Sequence, residues 1–553
     1  MANKRGPTSL AHKLLRAFLQ QSSSSTSTGS GSISQTNTNA QYCSTNSKLQ
    51  NSPPISMETF QSQSQKTMVV DVEGWLLKSP SAFPYFMVVA LEAGGGGLLR
   101  GFLLLLLYPF ICLLWNEMGM RIMVMVTFCG LRKQSVARVG RAILPKHLSE
   151  DVSLQGFDML KRGHSHGHGR VVCVSSMPRV MVEAFLREYL ELEDVLGTEL
   201  EEFMGFYTGF LHGERERCKV LELKKAFKDG AVGFSSSSFA QSKLPFSYCK
   251  ELLLVEKEEK RWNTLPRKRY LKPLIFHDGR LAFRPTPLNT LTMFLWLPFG
   301  FILALVRLTI SLSLPYKLST PVLAMTNMKW RLLVQTTGNE SGGNPSNVSE
   351  DNNSKTNHQR GQLFVCNHRT LIDPIYISVA INRPVQAVCY SLSRVSEILS
   401  PISTVRLTRD REEDAMIMGK LLDRGESVVV CPEGTTCREP YLLRFSPLFT
   451  ELSDEVVPVA VNVKTSMFYA TTAGGWKCFD SLYYLMNASM CYEVQFLDKI
   501  DTSDVRARKY SNTDMANQVQ RKIGKALGFQ CTMLTRKDKY MMLAENDGIV
   551  GRS

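Results

Sequence analysis

The chain has 553 residues, 44% of them hydrophobic, and a formal net charge of +15. At roughly 100–200 residues per domain, that length supplies two or three domains. The positive balance suits anionic lipid surfaces or phosphorylated ligands, while basic runs interleaved with aromatics, the mark of a nucleic-acid binder, are missing. The 13 cysteines include no CxxC pair, which excludes the common zinc spacings and suits a reducing compartment.

Residues 1–60 hold no carboxylate before Glu58. Lys13–Gln20 is basic and amphipathic, with Leu10, Leu14 and Phe18 on one helical stripe, and a Ser/Thr-rich polar stretch follows. This composition predicts a disordered basic tail, and it also resembles an organelle transit peptide. Its apolar run is too short for a secretory signal. From Thr67, "TMVVDVEGWLL" predicts a buried strand ending in a turn.

Gly101–Trp115 is uncharged for 15 residues, about 22 Å as a helix. That is shorter than the roughly 30 Å hydrocarbon core, and Pro109 interrupts it. With its apolar flanks it predicts a membrane-embedded segment near 84–128, re-entrant rather than one clean span. Residues 131–284 predict a soluble region, with a strand at "RVVCVSS" and a helix along "VMVEAFLREYLELEDVL". In "KRGHSHGHG", His164, His166 and His168 alternate, but no Cys or carboxylate stands at ligand spacing, so a polar loop is expected. Pro285–Val306 is uncharged for 22 residues, about 33 Å as a helix, and Pro298 and Gly300 allow a kink. A membrane helix over about 285–314 follows, inside a linker at 271–330. "KWRLLVQTT" and "GQLFVCN" predict strands on either side of a flexible loop at 337–360. Beyond it, β-rich and helical runs alternate to about residue 462, which predicts a second α/β domain within 331–545.

The stretch "VCNHRTLIDP" reads as strand, turn, helix. Five residues along a helix rotate about 500°, and five along a strand reach the opposite face. His368 and Asp373 therefore meet only if the chain turns between them. Asp373 stands where an N-cap belongs, and Pro374 suits the first helical position. Capping and catalysis are compatible, so the spacing alone does not choose. With nine histidines in the chain, about 0.4 chance HxxxxD matches are expected. Further on, "VVVCPEGTTCREPYLLRFSPLF" carries a strand into a tight turn rich in N–H donors and hydroxyls, followed by Arg438 and Arg444. Such a turn suits a phosphate. Between these blocks, "STVRLTRDR" supplies Arg406, Arg409 and Arg411, and "VVPVAVN" predicts a short buried strand. Cys366, Cys431 and Cys437 lie inside the blocks and read as small packing residues.

These four blocks, in this order, resemble the glycerolipid acyltransferase superfamily: NHxxxxD at Asn367–Asp373, an arginine block ending at Arg409, Pro-Glu-Gly-Thr at Pro432–Thr435, and an apolar stretch at Val457–Val461. The longer strings "YSLSRVSEILSPISTVRLTRDR", "CPEGTTCREPYLLRFSPLF" and "KPLIFHDGRLAFRPTPLNTL" are similar to the land-plant glycerol-3-phosphate acyltransferase family, over roughly residues 66–550. The resemblance implies a membrane-bound enzyme that moves an acyl group from acyl-CoA to glycerol 3-phosphate, giving lysophosphatidic acid. His368 would be the general base and Asp373 would fix its tautomer. Arg409 with Glu433, Gly434 and Thr435 would hold the glycerol phosphate, and Arg369, Thr370 and Arg438 would assist. Glu433, being acidic, is expected on a glycerol hydroxyl or an arginine rather than on phosphate. No metal or other cofactor is expected, because the thioester is already activated.

"VVDVEGWLL" resembles the first motif of haloacid dehalogenase-type phosphatases, and the resemblance implies an α/β domain of that kind at 66–270. Asp71 keeps the nucleophile position, but Glu73 replaces the second aspartate and Trp75 a threonine. Ser175 matches the phosphate-binding second motif. Where magnesium-binding carboxylates belong, "AVGFSSSSFAQ" has serines. A catalytically silent relic, kept as scaffold and anchor, is expected. The alternatives are a working phosphatase half that releases monoacylglycerol, an acyltransferase for lysophosphatidic acid, and a non-catalytic scaffold, against which the intact His368 and Asp373 argue. The endoplasmic reticulum is the expected location, with the mitochondrion left open by the basic N-terminus.

Overall fold

The structure, a computed structural model, describes residues 43–44, 67–79, 81–114, 116–165, 170–212, 231–236, 246, 249–255, 263–333, 360–390, 397, 400–474 and 478–543. The basic tail (residues 43–44 aside), the side chains of His164, His166 and His168, and the loop at 337–359 lie outside the described residues. The chain divides into two units, residues 1–277 with 284–294 and residues 278–283 with 295–553.

The strands of the first unit are β1 (Thr67–Asp71), β2 (Val171–Pro178), β3 (Asp194–Thr198), β4 (Leu200–Phe203), β5 (Phe206–Leu211), β6 (Ala231–Ser236) and β7 (Glu251–Val255). Five of them form a parallel sheet in the order β7-β6-β1-β2-β3, edged by the antiparallel pair Cys43–Ser44. Parallel strands are covered on both faces, so they read as unbroken apolar runs rather than alternating ones. Every residue of β1 is buried accordingly. Val69, Val172, Val174, Leu196 and Phe246 form the core. β4 and β5 make a separate antiparallel hairpin.

The crossover from β1 to β2 carries α1 (Phe83–Glu92), α2 (Gly97–Leu113), α3 (Asn116–Phe128), α4 (Lys133–Ala142), α5 (Leu144–Ser149) and α6 (Leu154–Ser165), and α7 (Arg179–Tyr189) joins β2 to β3. One expectation changes here and two gain detail. The turn after Asp71 is a π-helical turn, Val72–Leu76, in which Asp71 accepts from the Gly74 N–H. The long helix expected through residue 196 stops at Tyr189, where Glu191 takes a left-handed φ of 58°, and its tail joins the sheet as β3. The apolar segment near 84–128 is a set of three helices. α1 is buried, whereas α2 turns Leu99, Phe102, Leu106 and Phe110 outward.

The second unit contains β8 (Met328–Leu333), β9 (Leu363–Cys366), β10 (Gln386–Cys389), β11 (Ser403–Arg406), β12 (Val428–Val430), β13 (Glu455–Thr465) and β14 (Met490–Phe496). Their order is β11-β10-β12-β9-β13-β14-β8, with the first five parallel and β14 antiparallel to β13. The "VVPVAVN" strand is longer than expected, because β14 pairs with its C-terminal half. The helices are α8 (Pro287–Ser313), α9 (Tyr316–Met325), α10 (Asp373–Ile381), α11 (Arg411–Asp423), α12 (Cys478–Leu485), α13 (Asn512–Leu527) and α14 (Arg536–Leu543); Pro287–Phe294 of α8 falls in the first unit. Val365, Val428, Val456, Ala516, Val519 and Ile523 belong to one core under the sheet.

Among the described residues, α8 is the one helix long and apolar enough to cross a membrane, by length and composition. It carries a fully buried cation. Arg307 donates to the carbonyls of Leu485 (2.6 Å), Asn487 (2.8 Å) and Thr326, and to the Thr326 hydroxyl (3.0 Å). An arginine in apolar surroundings persists only when its donors are met. Arg307→Leu strands those carbonyls, at about 1–3 kcal/mol for each one left unmet. The variant should lose about 2 kcal/mol or more of stability, read as a lower melting temperature in detergent micelles.

Candidate active site

β9 lies at the centre of the second sheet, between β12 and β13, and points its C-terminal end at the site. Asn367 extends the ladder with its side chain. Its Nδ2 donates to the Val461 carbonyl (2.9 Å), and its Oδ1 accepts from the Val461 N–H (2.8 Å). The chain then turns, as the sequence required, and His368 meets Asp373: Nδ1 lies 2.9 Å from Oδ2. Asp373 is fully buried and is the first residue of α10 rather than its cap. Its carboxylate folds back onto the turn instead, accepting from the N–H groups of Arg369 (2.7 Å) and Thr370 (3.0 Å), from the Thr370 hydroxyl (2.9 Å) and from the Tyr492 hydroxyl.

A carboxylate only accepts, so Nδ1 carries the imidazole proton and Nε2 keeps its lone pair. Burial works against the imidazolium, but Cys431 and the Asp373 carboxylate outweigh it and hold the His368 pKa well above its ordinary value. The arrangement can therefore take a proton at Nε2 and stabilise the cation that results.

A second loop, leaving β12, is locked to the first. Gly434 takes a φ of +65°, a left-handed turn that glycine adopts without strain. Glu433 is buried. Its carboxylate accepts from the N–H groups of His368 (2.8 Å) and Leu443 (2.9 Å), and the Cys437 N–H donates to the His368 carbonyl (2.9 Å). Burial lifts the Glu433 pKa to about 7, against the pull of those two N–H groups. Glu433 thus braces backbone, where a glycerol hydroxyl or an arginine was expected.

The candidate cations divide. Arg369 donates to the carbonyls of Cys437 (2.8 Å) and Glu439 (2.7 Å) and stacks over Phe529. Arg438 donates to the carbonyls of Gly279 (2.8 Å) and Thr471 and lies over Tyr469. Both hold loops in place. Arg409 is exposed, sits at φ +73°, and forms no ion pair among the described residues. Arg406 and Arg411 pair with Glu397 and Glu451.

Sequence reasoning missed three groups here. Lys539, buried on α14, donates to the Thr435 hydroxyl (3.2 Å) and to the Thr436 carbonyl and hydroxyl, placing a cation at the Pro-Glu-Gly-Thr turn. In "RKDKYMML" it reads as surface charge. Tyr492 lies on β14, 119 residues beyond Asp373, and its ring stacks on Tyr376 at 3.7 Å between centroids. Cys366 and Cys431, expected as packing residues, face each other at 3.4 Å between sulfurs. His368, Asp373 and Cys431 place one potential ligand atom each within 4.8 Å, although His368 Nδ1 is already spent on Asp373.

The first unit gathers Asp71, Glu73 and Ser175 at the ends of β1 and β2. Glu73 Oε1 accepts from the Ser175 hydroxyl (2.5 Å) and from the N–H groups of Ser176 (2.9 Å) and Met177 (3.0 Å), while Oε2 is buried with no hydrogen-bond partner among the described residues. Donors of that kind suit a phosphate, and here the chain's own carboxylate fills them. Asp71 accepts from Ser235 (2.6 Å), the serine that stands where a carboxylate was sought. A magnesium ion relies on carboxylate oxygens. With Glu73 turned away and Ser235 in place of an acid, this set does not fit one.

Comparison with known proteins agrees with both halves. Residues 67–255 match the model described as "Glycerol-3-phosphate acyltransferase RAM2-like, HAD-like domain", and residues 346–462 match the acyltransferase model. The chain is 47% identical over 522 residues to "Probable glycerol-3-phosphate acyltransferase 3" of Arabidopsis thaliana, covering 93% of this chain and 96% of that one. It is 45% identical to "Glycerol-3-phosphate acyltransferase 1" of Arabidopsis thaliana (88% and 82% covered). It is 41% identical to "Glycerol-3-phosphate acyltransferase RAM2" of Petunia hybrida (87% and 97% covered). The chain belongs to the glycerol-3-phosphate acyltransferase family, and it is an acyltransferase.

If Glu73 is what closes the first unit's cradle, removing it should open the cradle. Glu73→Ala, combined with Asp71→Asn to remove the neighbouring negative charge, should gain orthophosphate binding. The readout is a melting temperature that rises with millimolar phosphate in the double variant and stays flat in the wild type.

Proposed function

We propose that the protein transfers an acyl group from acyl-CoA to a hydroxyl of glycerol 3-phosphate, releasing lysophosphatidic acid and coenzyme A. The observation that carries this is the His368–Asp373 contact of 2.9 Å, which leaves Nε2 as the base. His368 takes the hydroxyl proton, the oxygen attacks the thioester carbonyl, and the imidazolium returns the proton to the leaving thiolate. Asp373 orients the imidazole and balances its charge. The exposed Arg409 is the cation we assign to the phosphate, beside the Thr435 hydroxyl, whose turn Lys539 holds in place. An apolar cavity of about 130 Å³ beside α10, lined by Ile375, Val379, Trp330, Leu312 and Leu323, supports an acyl chain as the second substrate.

The first unit is silent as a phosphatase in this reading, because Glu73 occupies the phosphate donors and the magnesium set is incomplete. Membrane attachment rests on α8 and on the outward apolar face of α2. We place the enzyme on the endoplasmic reticulum, with the mitochondrion as second choice, and its catalytic residues on the cytosolic side, where both substrates are available. A bifunctional enzyme releasing monoacylglycerol is the runner-up, favoured by the retained Asp71.

Membranes carrying the protein, given labelled glycerol 3-phosphate and acyl-CoA, should yield labelled lysophosphatidic acid, and His368→Ala should abolish it. Monoacylglycerol that disappears in Asp71→Asn would instead establish the runner-up. The base must be neutral to act, so activity should climb with pH through a raised His368 pKa. The ascending limb of kcat/KM should then lie above pH 6.5, the ordinary imidazole value. Asp373→Asn removes the anion that favours the imidazolium. The limb should move to lower pH while kcat falls by about 10²–10⁴-fold.

A further inference from the structure

The hairpin β4–β5 is built unlike the rest of the first unit's surface. Met204 and Gly205 form a two-residue turn with both φ values positive, 49° and 80°, which matches the twist of a tight hairpin. One face is pressed onto the end of α3. Tyr207 is buried with its ring 6.0 Å from Phe128, its N–H donates to the Leu131 carbonyl (2.9 Å), and a Cβ on Gly209 would come within 3.2 Å of the Met125 Cα. The other face and the tip carry Phe203, Met204, Phe206 and Phe210, which are 70%, 83%, 42% and 59% exposed.

Four large apolar side chains on one short hairpin are costly in water. The helix α3 packs against both β5 and α2 and leaves its own Met118 and Met125 about half exposed, while α2 has Leu99, Leu106 and Phe110 73%, 59% and 61% exposed. Charge lies directly beside the tip: Arg132 lies over the Phe206 ring at 5.7 Å, the Lys133 N–H donates to the Gly205 carbonyl (3.0 Å), and the Lys133 ammonium pairs with Glu202 at 2.8 Å. Cations packed beside outward phenylalanines suit an element at the headgroup level of a bilayer, where apolar rings enter the acyl region and charged heads stay in the interface. At 17 residues α2 is about 25 Å long, short of the roughly 30 Å hydrocarbon core, which suits insertion into one leaflet.

We infer that β4–β5 inserts its Phe203–Phe206 tip into the same lipid leaflet as α2, so that the phosphatase-like unit grips the bilayer at two separate points of its sequence. The inference rests on the membrane attachment proposed above, and its partner is the lipid surface itself. Nothing in the sequence of residues 200–211 resembles a membrane segment, because the outward phenylalanines alternate with residues that face α3.

The test uses the full chain in phosphatidylcholine–phosphatidylserine nanodiscs. An environment-sensitive fluorescent amino acid is placed singly at Met204, at Leu106 and at the exposed Arg187 on α7, and acyltransferase activity confirms that each labelled protein is folded. The inference expects blue-shifted emission at 204 and 106, quenched at least twofold more by brominated lipids than at 187. Quenching at 106 without quenching at 204 would overturn the inference while leaving the α2 anchor standing. Blue-shifted but unquenched emission at 204 would overturn it in favour of a protein contact. No quenching at either position would remove the α2 anchor and the inference together.

Discussion

The buried Asp373 carboxylate is the point around which the second unit's chemistry is arranged. A charge taken out of water must be surrounded by donors. Here the donors come from the turn it caps off, from the imidazole it orients and from Tyr492 on β14. Satisfying the carboxylate therefore fixes the turn, the start of α10, the tautomer of His368 and the register of two strands at once. The parallel β9, flanked by β12 and β13, delivers the turn to the end of the sheet where both loops emerge.

Two other buried carboxylates follow the same physics with opposite results. Glu433 accepts backbone N–H groups from the histidine turn and from the chain after the Pro-Glu-Gly-Thr block, and so ties the two loops together. Glu73 accepts a hydroxyl and two N–H groups in the first unit and fills the place where an external anion would sit. The difference lies in what the donors serve. In one unit they are structural and the carboxylate is the brace. In the other they are donors of the kind that suits a phosphate, and the carboxylate takes them up.

The sheets, the apolar helices and the positions of the conspicuous motif residues were legible in the sequence, because buried parallel strands and long apolar helices are unbroken apolar runs that leave a local signature. The helix expected through residue 196 misled for the same reason. Its apolar spacing continues past Tyr189, and only the left-handed turn at Glu191 and the vacancy beside β2 turn the tail into a strand. The arginines misled in another way. Arg369 and Arg438 look like phosphate ligands by type and place, yet each spends donors on backbone carbonyls that loops would otherwise leave unmet. Lys539, which no motif marks, is buried against the turn those arginines were expected to serve.

By itself the sequence determined what local order can encode: two α/β units, a long apolar helix, and a histidine and aspartate at a spacing that becomes a pair once the chain turns. It also shows serines where magnesium-binding carboxylates were sought, a substitution visible without a structure. The tertiary structure alone decided which groups meet across long separations. It brought Tyr492 to Asp373, Lys539 to Thr435, Glu433 to the His368 backbone and Glu73 to the donors at Ser175. These contacts join residues about 65 to 120 positions apart, and no local pattern marks them. Which partner a buried polar group finds depends on what the closing core leaves within hydrogen-bond reach.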